Sequence, residues 1–277
     1  MTVRRKELIY NLREWARKIR RETVSMVYAA NSGHCGGSLS AADIVAALYF
    51  YFMKIDPKNP EWEDRDRFIL SKGHTCPVLY SALALKGYFP VEELVTLRAL
   101  NSKLQGHPDM LKTKGLDATT GSLGQGLSIG VGMALGGKLS KKDFKVYVLM
   151  GDGETNEGQI WEAAECAAKY RLNNLIGIVD MNGLQNDGPT EVIMPLRSLA
   201  EKWKAFGWSV IEIDGHDMEQ VVDALITAGM ELDEPTVIIA KTVKGKGVSY
   251  MENIVEWHSG APTKEQFEKA LDELGGR

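Results

Sequence analysis

The second half of the chain carries short apolar runs that alternate with segments suited to helices. The runs are KVYVLM, NLIGIVD, WSVIEID and TVIIAKTV, at residues 145–150, 174–180, 208–214 and 236–243. A segment that can be helical follows each of the first three, which is the order expected of repeated βαβ units. Because such crossovers build parallel sheets, the pattern predicts an α/β fold, a doubly wound and mainly parallel sheet with flanking helices.

Polar residues that suit a metal ion stand at or just after the ends of the first two runs. The first is followed by GDG, which contains Asp152, and the second continues as DMNG, which contains Asp180 and Asn182 and precedes Leu184. The spacing of Asp152 and Asn182 leaves room for one crossover helix. Since ligands gather beyond the carboxyl ends of parallel strands, we predict that Asp152, Asn182 and the backbone carbonyl of Leu184 bind Mg²⁺ or Ca²⁺.

Composition narrows the class of protein. The chain has 277 residues, 44% of them hydrophobic, so we expect one domain over residues 1–277. A net charge of -4 and the lack of a basic patch argue against nucleic acid as a partner. Three widely spaced cysteines fit a reducing cytoplasm. No apolar run reaches the length of a membrane span and no signal peptide is evident, so we expect a soluble protein without a membrane partner.

Helical spacing of apolar residues predicts helices outside the alternating region. The predicted helices cover residues 6–30, 40–51, 77–86 and 263–277. In the first, Leu12 and Ile19 belong to an apolar stripe whose gaps are filled by Arg and Lys. In the second, Ser40 is a suitable N-cap.

The pair of motifs GDG and DMNG resembles the signature of thiamine diphosphate enzymes. Further stretches run along nearly the whole chain and resemble the transketolase family in the family's own order: NSGHCGGSLSAADI, LSKGHTCPVLYSAL, QGHPD, TTGSLGQGLSIGVGMALGGKL, DGHD and EWHSGAP. Ser122 in the fourth stretch stands where the family usually has proline. The resemblance implies the thiamine diphosphate-binding fold, with thiamine diphosphate and a divalent metal as cofactors.

The glycine-rich segment that begins at Thr119 has a physical reason to bind an anion. Its glycines let backbone N–H groups approach a ligand, and it precedes a helix N-terminus, which favours negative charge. The chain has no GxxxxGK[ST] motif and no GxGxxG after a strand, which disfavours a nucleotide site. The resemblance implies that thiamine diphosphate contacts His74, Gly121, Ser122, Leu123, Gly153, Glu157, Asn182 and His258.

Four of the five histidines stand in loop-like contexts: His34, His74 and His107 lie directly beside glycine or proline, and His258 lies two residues before Gly260. The resemblance places His34, His74 and His258 around the cofactor and sugar, and His107 near the sugar hydroxyls, so these four are the predicted catalytic residues. Imidazoles suit the task because a ketose must lose and gain hydroxyl protons near neutral pH. In this chain a serine separates His258 from Gly-Ala-Pro, whereas the family has histidine directly before it, which leaves the register open. We interpret His216 as structural.

The glutamates near GDG differ in what the resemblance implies. Glu157 and Glu162 match glutamates that the family places at the subunit interface, where they link paired active sites. The alternative for both is a helix N-terminus stabilised by negative charge. Glu154 receives no chemical role.

The resemblance also implies that this chain is one part of a larger enzyme. Full-length transketolases carry a second domain whose glutamate contacts the aminopyrimidine of the cofactor, and only TKEQFEKALDELGGR comes after HSGAP here. We therefore expect a split transketolase that is inert alone. Its partner is a separate C-terminal subunit, with two copies of each chain in the working form, and its substrates are sugar phosphates.

The expected reaction is transfer of a two-carbon glycolaldehyde unit from a ketose phosphate to an aldose phosphate. A 1-deoxyxylulose-5-phosphate synthase and the alpha subunit of a 2-oxo acid dehydrogenase also carry GDG and asparagine, but 2-oxo acid chemistry needs no histidines that read hydroxyls. A third alternative is a non-catalytic partner-binding module with the same fold. The intact Asp152, Asn182 and glycine loop argue against it.

Overall fold

A five-stranded parallel sheet forms the centre of the computed structural model, which describes residues 3–275. The strands are β1 Arg67–Leu70, β2 Val146–Gly151, β3 Leu175–Met181, β4 Ser209–Asp214 and β5 Thr236–Lys241. Their order in the sheet is β1-β2-β3-β5-β4, and all neighbouring pairs are parallel. The predicted doubly wound sheet is confirmed. The ends of the predicted domain, residues 1–2 and 276–277, lie outside the described range.

Side chains of the central strands are buried on both faces of the sheet. In β2, Val146 and Val148 pack into the core on one face, while Tyr147 and Leu149 pack into the core on the other. Burial on both faces explains why these strands read as continuous apolar runs. Strand β1 was not among the predicted strands, because it has only four residues and follows a charged segment.

Helices cover both faces of this sheet. They are α1 Val3–Ala30, α2 Cys35–Ser40, α3 Ala42–Ala47, α4 Cys76–Lys86, α5 Gln125–Leu139, α6 Gly158–Lys169, α7 Thr190–Ile193, α8 Leu199–Ala205, α9 Met218–Met230 and α10 Lys264–Glu273, with a π-helical turn Leu48–Phe52 and 3₁₀ turns Gly73–Thr75, Val91–Thr96, Gly153–Asn156 and Val255–His258. Helices α1, α3, α4 and α9 share one core, and α5, α6 and α8 share the other. Within residues 3–275, none of the helices has both the length and the apolar character needed to cross a membrane.

The predicted helices at residues 6–30, 77–86 and 263–277 correspond to α1, α4 and α10, although residues 276–277 are not described. The predicted helix at residues 40–51 corresponds to α3 and the π-helical turn Leu48–Phe52 that continues it, but the prediction that Ser40 caps this helix is wrong. Ser40 is the last residue of α2, and its hydroxyl donates to Asp180 Oδ2 at 2.6 Å. The side chain therefore makes a buried long-range hydrogen bond instead of a local cap.

Candidate active site

The carboxyl ends of β2 and β3 lie side by side, because Gly151 pairs in register with Asp180. The loops that follow these strands therefore meet at one edge of the sheet, as predicted. Asp152 is only 3% exposed there. Its Oδ1 accepts the Gly153 N–H at 2.8 Å, and its Oδ2 accepts the Gly183 N–H at 2.7 Å. This carboxylate thus ties the loop after β3 to the loop after β2.

The surroundings of Asp152 favour a bound cation. Burial raises the pKa of Asp152 and the charge of Asp180 raises it further, while hydrogen bonds from Gly153 and Gly183 act in the opposite direction. A cation placed against such a carboxylate stabilises its charged form. The position of Asp152 therefore fits the predicted metal ligand.

Two more oxygen donors lie in the loop after β3. Asn182 Nδ2 donates to Asp180 Oδ2 at 3.1 Å, and Asn182 Oδ1 accepts the Leu184 N–H at 3.1 Å. Asp152, Asn182 and Leu184 all line one cavity. Within residues 3–275 no group of three or more His, Cys, Asp or Glu is placed to hold a metal ion. A divalent ion at this edge would instead have one carboxylate, one amide oxygen and one backbone carbonyl, which are hard donors of the kind that Mg²⁺ takes.

A buried ion pair supports the end of β3, and the sequence analysis missed it. Lys72 Nζ donates to Asp180 Oδ2 and, at 2.8 Å, to the Gly37 carbonyl. Asp180 also accepts the hydroxyls of Ser40 and Thr242. Burial alone would raise the pKa of Asp180, but the Lys72 ammonium and these hydroxyls hold it below its ordinary value. The network fixes the strand end from which the predicted metal loop extends.

We expect Lys72→Met to lower the free energy of unfolding by about 3–5 kcal/mol, the usual cost of leaving a buried charge without its partner. Methionine fills similar space, so the loss reports the missing charge. Urea denaturation followed by circular dichroism measures it.

Lys54→Met is the matched control, because Lys54 pairs with the fully exposed Asp143 at 3.7 Å and should cost less than about 1 kcal/mol. The double variant Lys72→Met/Asp180→Asn should recover part of the loss, since no uncompensated charge remains. Equal stability of the Lys72→Met and Lys54→Met variants would contradict a buried ion pair.

The loops at the sheet edge enclose a cavity of about 350 Å³. The predicted site residues that line it are His74, Leu123, Asp152, Gly153, Glu157, Asn182, Leu184 and His258. Residues without a predicted binding or catalytic role also line it, among them Gly37, Lys72, Glu154, Gln185 and Lys244. His34 lies beside these residues through its ring contact with His74, and His107 lies against the glycine loop at Gly121. Gly121 and Ser122 themselves do not line the cavity.

Three of the predicted catalytic histidines form one cluster. Ring centroids are 5.1 Å apart for His34 and His74, 5.2 Å for His74 and His258, and 5.7 Å for His34 and His258. Burial is the main cause that lowers the pKa of His34 to about 4, that of His74 to about 2 and that of His258 to about 4. All three imidazoles are therefore neutral near pH 7, each with one N–H donor and one acceptor nitrogen. Such groups can donate hydrogen bonds to sugar hydroxyls and accept hydrogen bonds from them.

Lys244 connects the histidine cluster to the predicted metal loop. Its buried Nζ lies 2.8 Å from His258 Nδ1 and donates to the Leu184 carbonyl at 2.9 Å. Burial and, after it, the charge of Lys72 lower the pKa of Lys244 to about 8. His258 ends the 3₁₀ turn Val255–His258 and stays in the cluster despite the serine that follows it. The sequence analysis gave Lys244 no role, although it lies just beyond the carboxyl end of β5.

The glycine loop needs glycine at two positions. Gly121 has φ +148° and Gly124 has φ +83°, both in the region that L side chains rarely adopt. A Cβ at Gly121 would lie 3.1 Å from the His107 ring, so His107 packs directly against the loop. Ser122 is exposed, while Leu123 reaches the cavity. The loop therefore brings its backbone near the cavity at the N-terminus of α5.

Glu154 braces this loop, a role that the sequence did not suggest. The side chain is 3% exposed. Its Oε1 accepts the Gly124 N–H at 2.8 Å and the Ser71 hydroxyl, and its Oε2 accepts the Gly151 N–H at 3.0 Å. Burial raises the pKa of Glu154, and the hydrogen bonds oppose that rise. One carboxylate thus joins the ends of β1 and β2 to the glycine loop.

Glu157 and Glu162 are both exposed. Glu157 precedes α6 as its N-cap residue and lines the rim of the cavity, and Glu162 lies farther along α6. Large apolar side chains are also exposed in the segment after the metal loop, with Val192 at 74% and Met194 at 58%, and Met194 lines the cavity. The subunit-interface role of the two glutamates stays a prediction.

The chain matches one family model over nearly its whole length. That model, described as the thiamine diphosphate binding domain of transketolase, covers residues 12–276. The chain belongs to the transketolase family. The family resemblance predicted from the motifs is thereby confirmed. The matched transketolase domain is a thiamine diphosphate-binding domain, so thiamine diphosphate is the cofactor.

Some relatives of this transketolase chain have nearly its own length and are named as subunits. The 6-deoxy-6-sulfo-D-fructose transketolase subunit SqwG of Clostridium sp. (strain MSTE9) is 48% identical over 264 residues, which are 95% of this chain and 96% of the relative. One of the subunits of the apulose-4-phosphate transketolase of Phocaeicola vulgatus is 46% identical over 260 residues, which are 94% of this chain and 92% of the relative.

Solved transketolases share the fold but are longer. The transketolase of Campylobacter jejuni superposes with a TM-score of 0.91 at 35% identity, covering 100% of this chain and 43% of that chain. The transketolase of Leishmania mexicana superposes with a TM-score of 0.91 at 31% identity, covering 96% of this chain and 41% of that chain. This transketolase chain therefore corresponds to less than half of those proteins.

Proposed function

We propose that the chain is the diphosphate- and metal-binding subunit, folded as a single domain, of a split transketolase. The complete enzyme transfers a two-carbon glycolaldehyde unit from a ketose phosphate to an aldose phosphate. The observation that carries the proposal is the cavity at the ends of β2 and β3, where an oxygen-donor set, a glycine loop and three neutral histidines meet. A partner-binding module would need none of these groups.

The residues around the cavity form two binding sites for the cofactor, one for its metal ion and one for its diphosphate. Asp152, Asn182 and the Leu184 carbonyl would hold Mg²⁺ or Ca²⁺, and the backbone of Gly153 and of the glycine loop would lie against the diphosphate. The ammonium of Lys244 adds positive charge between the metal loop and the histidines, because it contacts both the Leu184 carbonyl and His258 Nδ1. When bound, thiamine diphosphate supplies the electron sink for breaking a ketose carbon–carbon bond, and the metal neutralises its diphosphate.

The histidines would bind the hydroxyl groups of the sugar. His34, His74 and His258 lie close together, and we assign to them the hydrogen bonds to the hydroxyls of the donor ketose and the exchange of its hydroxyl protons. His107 packs on the glycine loop beside them and would contact the sugar hydroxyls.

A second polypeptide completes the site. The two relatives of nearly equal length are named as transketolase subunits, which supports a partner that carries the pyrimidine-binding domain. We assign Glu157 and Glu162 to the subunit interface, and two copies of each chain about a two-fold axis to the working enzyme. The exposed apolar segment with Val192 and Met194 beside the cavity is available for this contact.

Cofactor-dependent thermal stabilisation tests the proposal against the partner-binding alternative. We expect thiamine diphosphate to raise the melting temperature of the chain when Mg²⁺ is present and much less in EDTA, because a ligand at 100 times its Kd stabilises by about 2.7 kcal/mol. Thiamine without phosphates is the control ligand and should have little effect. If thiamine diphosphate leaves the melting temperature unchanged both with Mg²⁺ and in EDTA, a non-catalytic module would be favoured. A panel of ketose phosphates, assayed with the partner, then identifies the donor.

We expect His34→Ala and His74→Ala to reduce two-carbon transfer by about 10²-fold, the usual scale for losing a positioned acid–base group. The affinity for thiamine diphosphate should change less, because the predicted metal ligands and the glycine loop remain. Steady-state rates and cofactor titrations on the assembled enzyme measure both quantities. Unaltered turnover of every donor ketose by either variant would make that histidine structural.

A further inference from the structure

Gln185 carries a buried hydrogen-bond donor without a partner. Four buried side-chain atoms within residues 3–275 lack a hydrogen-bond partner: Asn174 Oδ1, Gln185 Nε2, Trp203 Nε1 and Thr236 Oγ1. Among these residues, only Gln185 lines the cavity at the strand ends. A buried donor left unpaired costs about 1–3 kcal/mol, so its retention beside a ligand cavity indicates that a ligand supplies the acceptor.

The backbone around Gln185 holds this side chain in place. The Gln185 N–H donates to the Gly188 carbonyl at 2.8 Å, Leu184 bridges to Pro189, and the Thr190 N–H donates to the Gly183 carbonyl at 2.8 Å. These bonds close a tight loop between β3 and α7. The amide is therefore presented from a constrained turn.

The amide of Gln185 lies directly over Gly153. A Cβ built on Gly153 would lie 2.9 Å from Gln185 Cγ and 3.1 Å from Gln185 Nε2. Gly153 follows Asp152, whose carboxylate fits a metal ion, and Lys72 and Lys244 line the same cavity. The unpaired Nε2 of Gln185 therefore belongs to a side chain that lines the same cavity as two cations, which suit an anionic oxygen.

We propose that Gln185 Nε2 donates a hydrogen bond to a phosphate oxygen of the bound cofactor, beside the metal. The inference rests on the proposed function, because it takes thiamine diphosphate as the occupant of the cavity. A terminal phosphate of the donor sugar has the same chemistry. The closeness of Gln185 to Gly153 favours the diphosphate, since the GDG loop is the part of the cavity that carries the metal ligand.

Titration calorimetry with Mg²⁺ on the full chain tests the proposal, with thiamine diphosphate and inorganic pyrophosphate as probes. Gln185→Leu should weaken both ligands by about 10-fold, the scale of one hydrogen bond to a charged group. Gln185→Glu should weaken both by more than about 100-fold, because it sets a carboxylate against the diphosphate. Without ligand, Gln185→Leu should melt at or above the wild-type temperature, since it removes an unpaired donor.

Each other outcome overturns a defined part of the proposal. Wild-type affinity for both probes in the two variants would exclude Gln185 as a phosphate donor while leaving the proposed function intact. If the variants have unchanged cofactor affinity but a raised KM for the sugar phosphate in the enzyme assembled with its partner, the amide belongs to the substrate site instead. Tighter binding by Gln185→Glu would place the side chain at the metal. A wild-type chain that binds neither probe, whether alone or assembled with its partner, would overturn the proposed function together with this inference.

Discussion

Purified without a second polypeptide, the chain is expected to give no measurable two-carbon transfer, and addition of the partner subunit should restore turnover to the order of 10 s⁻¹ that is ordinary for enzymes. The cavity holds the groups suited to the metal, the diphosphate and the sugar hydroxyls. The group that activates the aminopyrimidine is expected from the partner. A coupled assay of aldose release, run on the chain with and without its partner, measures the effect.

Analytical ultracentrifugation on the same samples checks the assembly. We expect the mixture to form a complex of two copies of each chain, and the activity to follow the amount of that complex. Denatured partner is the control for a non-specific effect of added protein. Robust turnover by the chain alone would refute the split-enzyme proposal.

Asp152→Asn is expected to weaken metal-dependent binding of thiamine diphosphate by more than about 100-fold, beyond the loss seen when only an outer-shell group of a metal site is removed. The carboxylate is the charged member of the predicted donor set, and an amide offers the metal no negative charge. Asparagine is a better test than alanine, because its carbonyl still accepts one of the N–H groups of Gly153 and Gly183. Calorimetry at saturating and at zero Mg²⁺ measures the change.

Asp143→Asn is the matched control, since its fully exposed side chain pairs only with Lys54 among the ion pairs of residues 3–275. This variant should bind the cofactor like the wild-type chain. Circular dichroism on both variants checks that the fold persists. Normal affinity of the Asp152→Asn chain would show that the metal binds elsewhere.

Much of the candidate site could be predicted because its parts come directly after strands that are easy to recognise. The apolar runs of β2 and β3 are strong signals, and parallel pairing brings the loops after both strands to one edge, which placed Asp152 and Asn182 together. The family motifs led to His34, His74 and His258, which share the cavity region. Local pattern and chain order were sufficient for Asp152 and Asn182, whereas the histidines required the family resemblance.

The residues that the sequence missed act through partners far away in the chain. Lys72 and Asp180 are 108 residues apart and form one buried ion pair. Glu154 reaches Ser71 and the glycine loop, and Ser40 reaches Asp180 instead of capping a helix. Nothing in the neighbouring residues of any of these side chains indicates the distant contact, which exists only after the sheet has brought the segments together.

The position of β5 has a consequence for the order of folding during synthesis. β5 follows β4 in the chain but lies between β3 and β4 in the sheet. Until the ribosome has released residues 236–241, β4 has no strand beside it and β3 keeps an open edge, where a nascent chain can join the wrong neighbour. Lys244 and His258 emerge after that strand. A nascent chain therefore completes its cofactor cavity only after β5 has been inserted into the sheet and the residues as far as His258 have followed it.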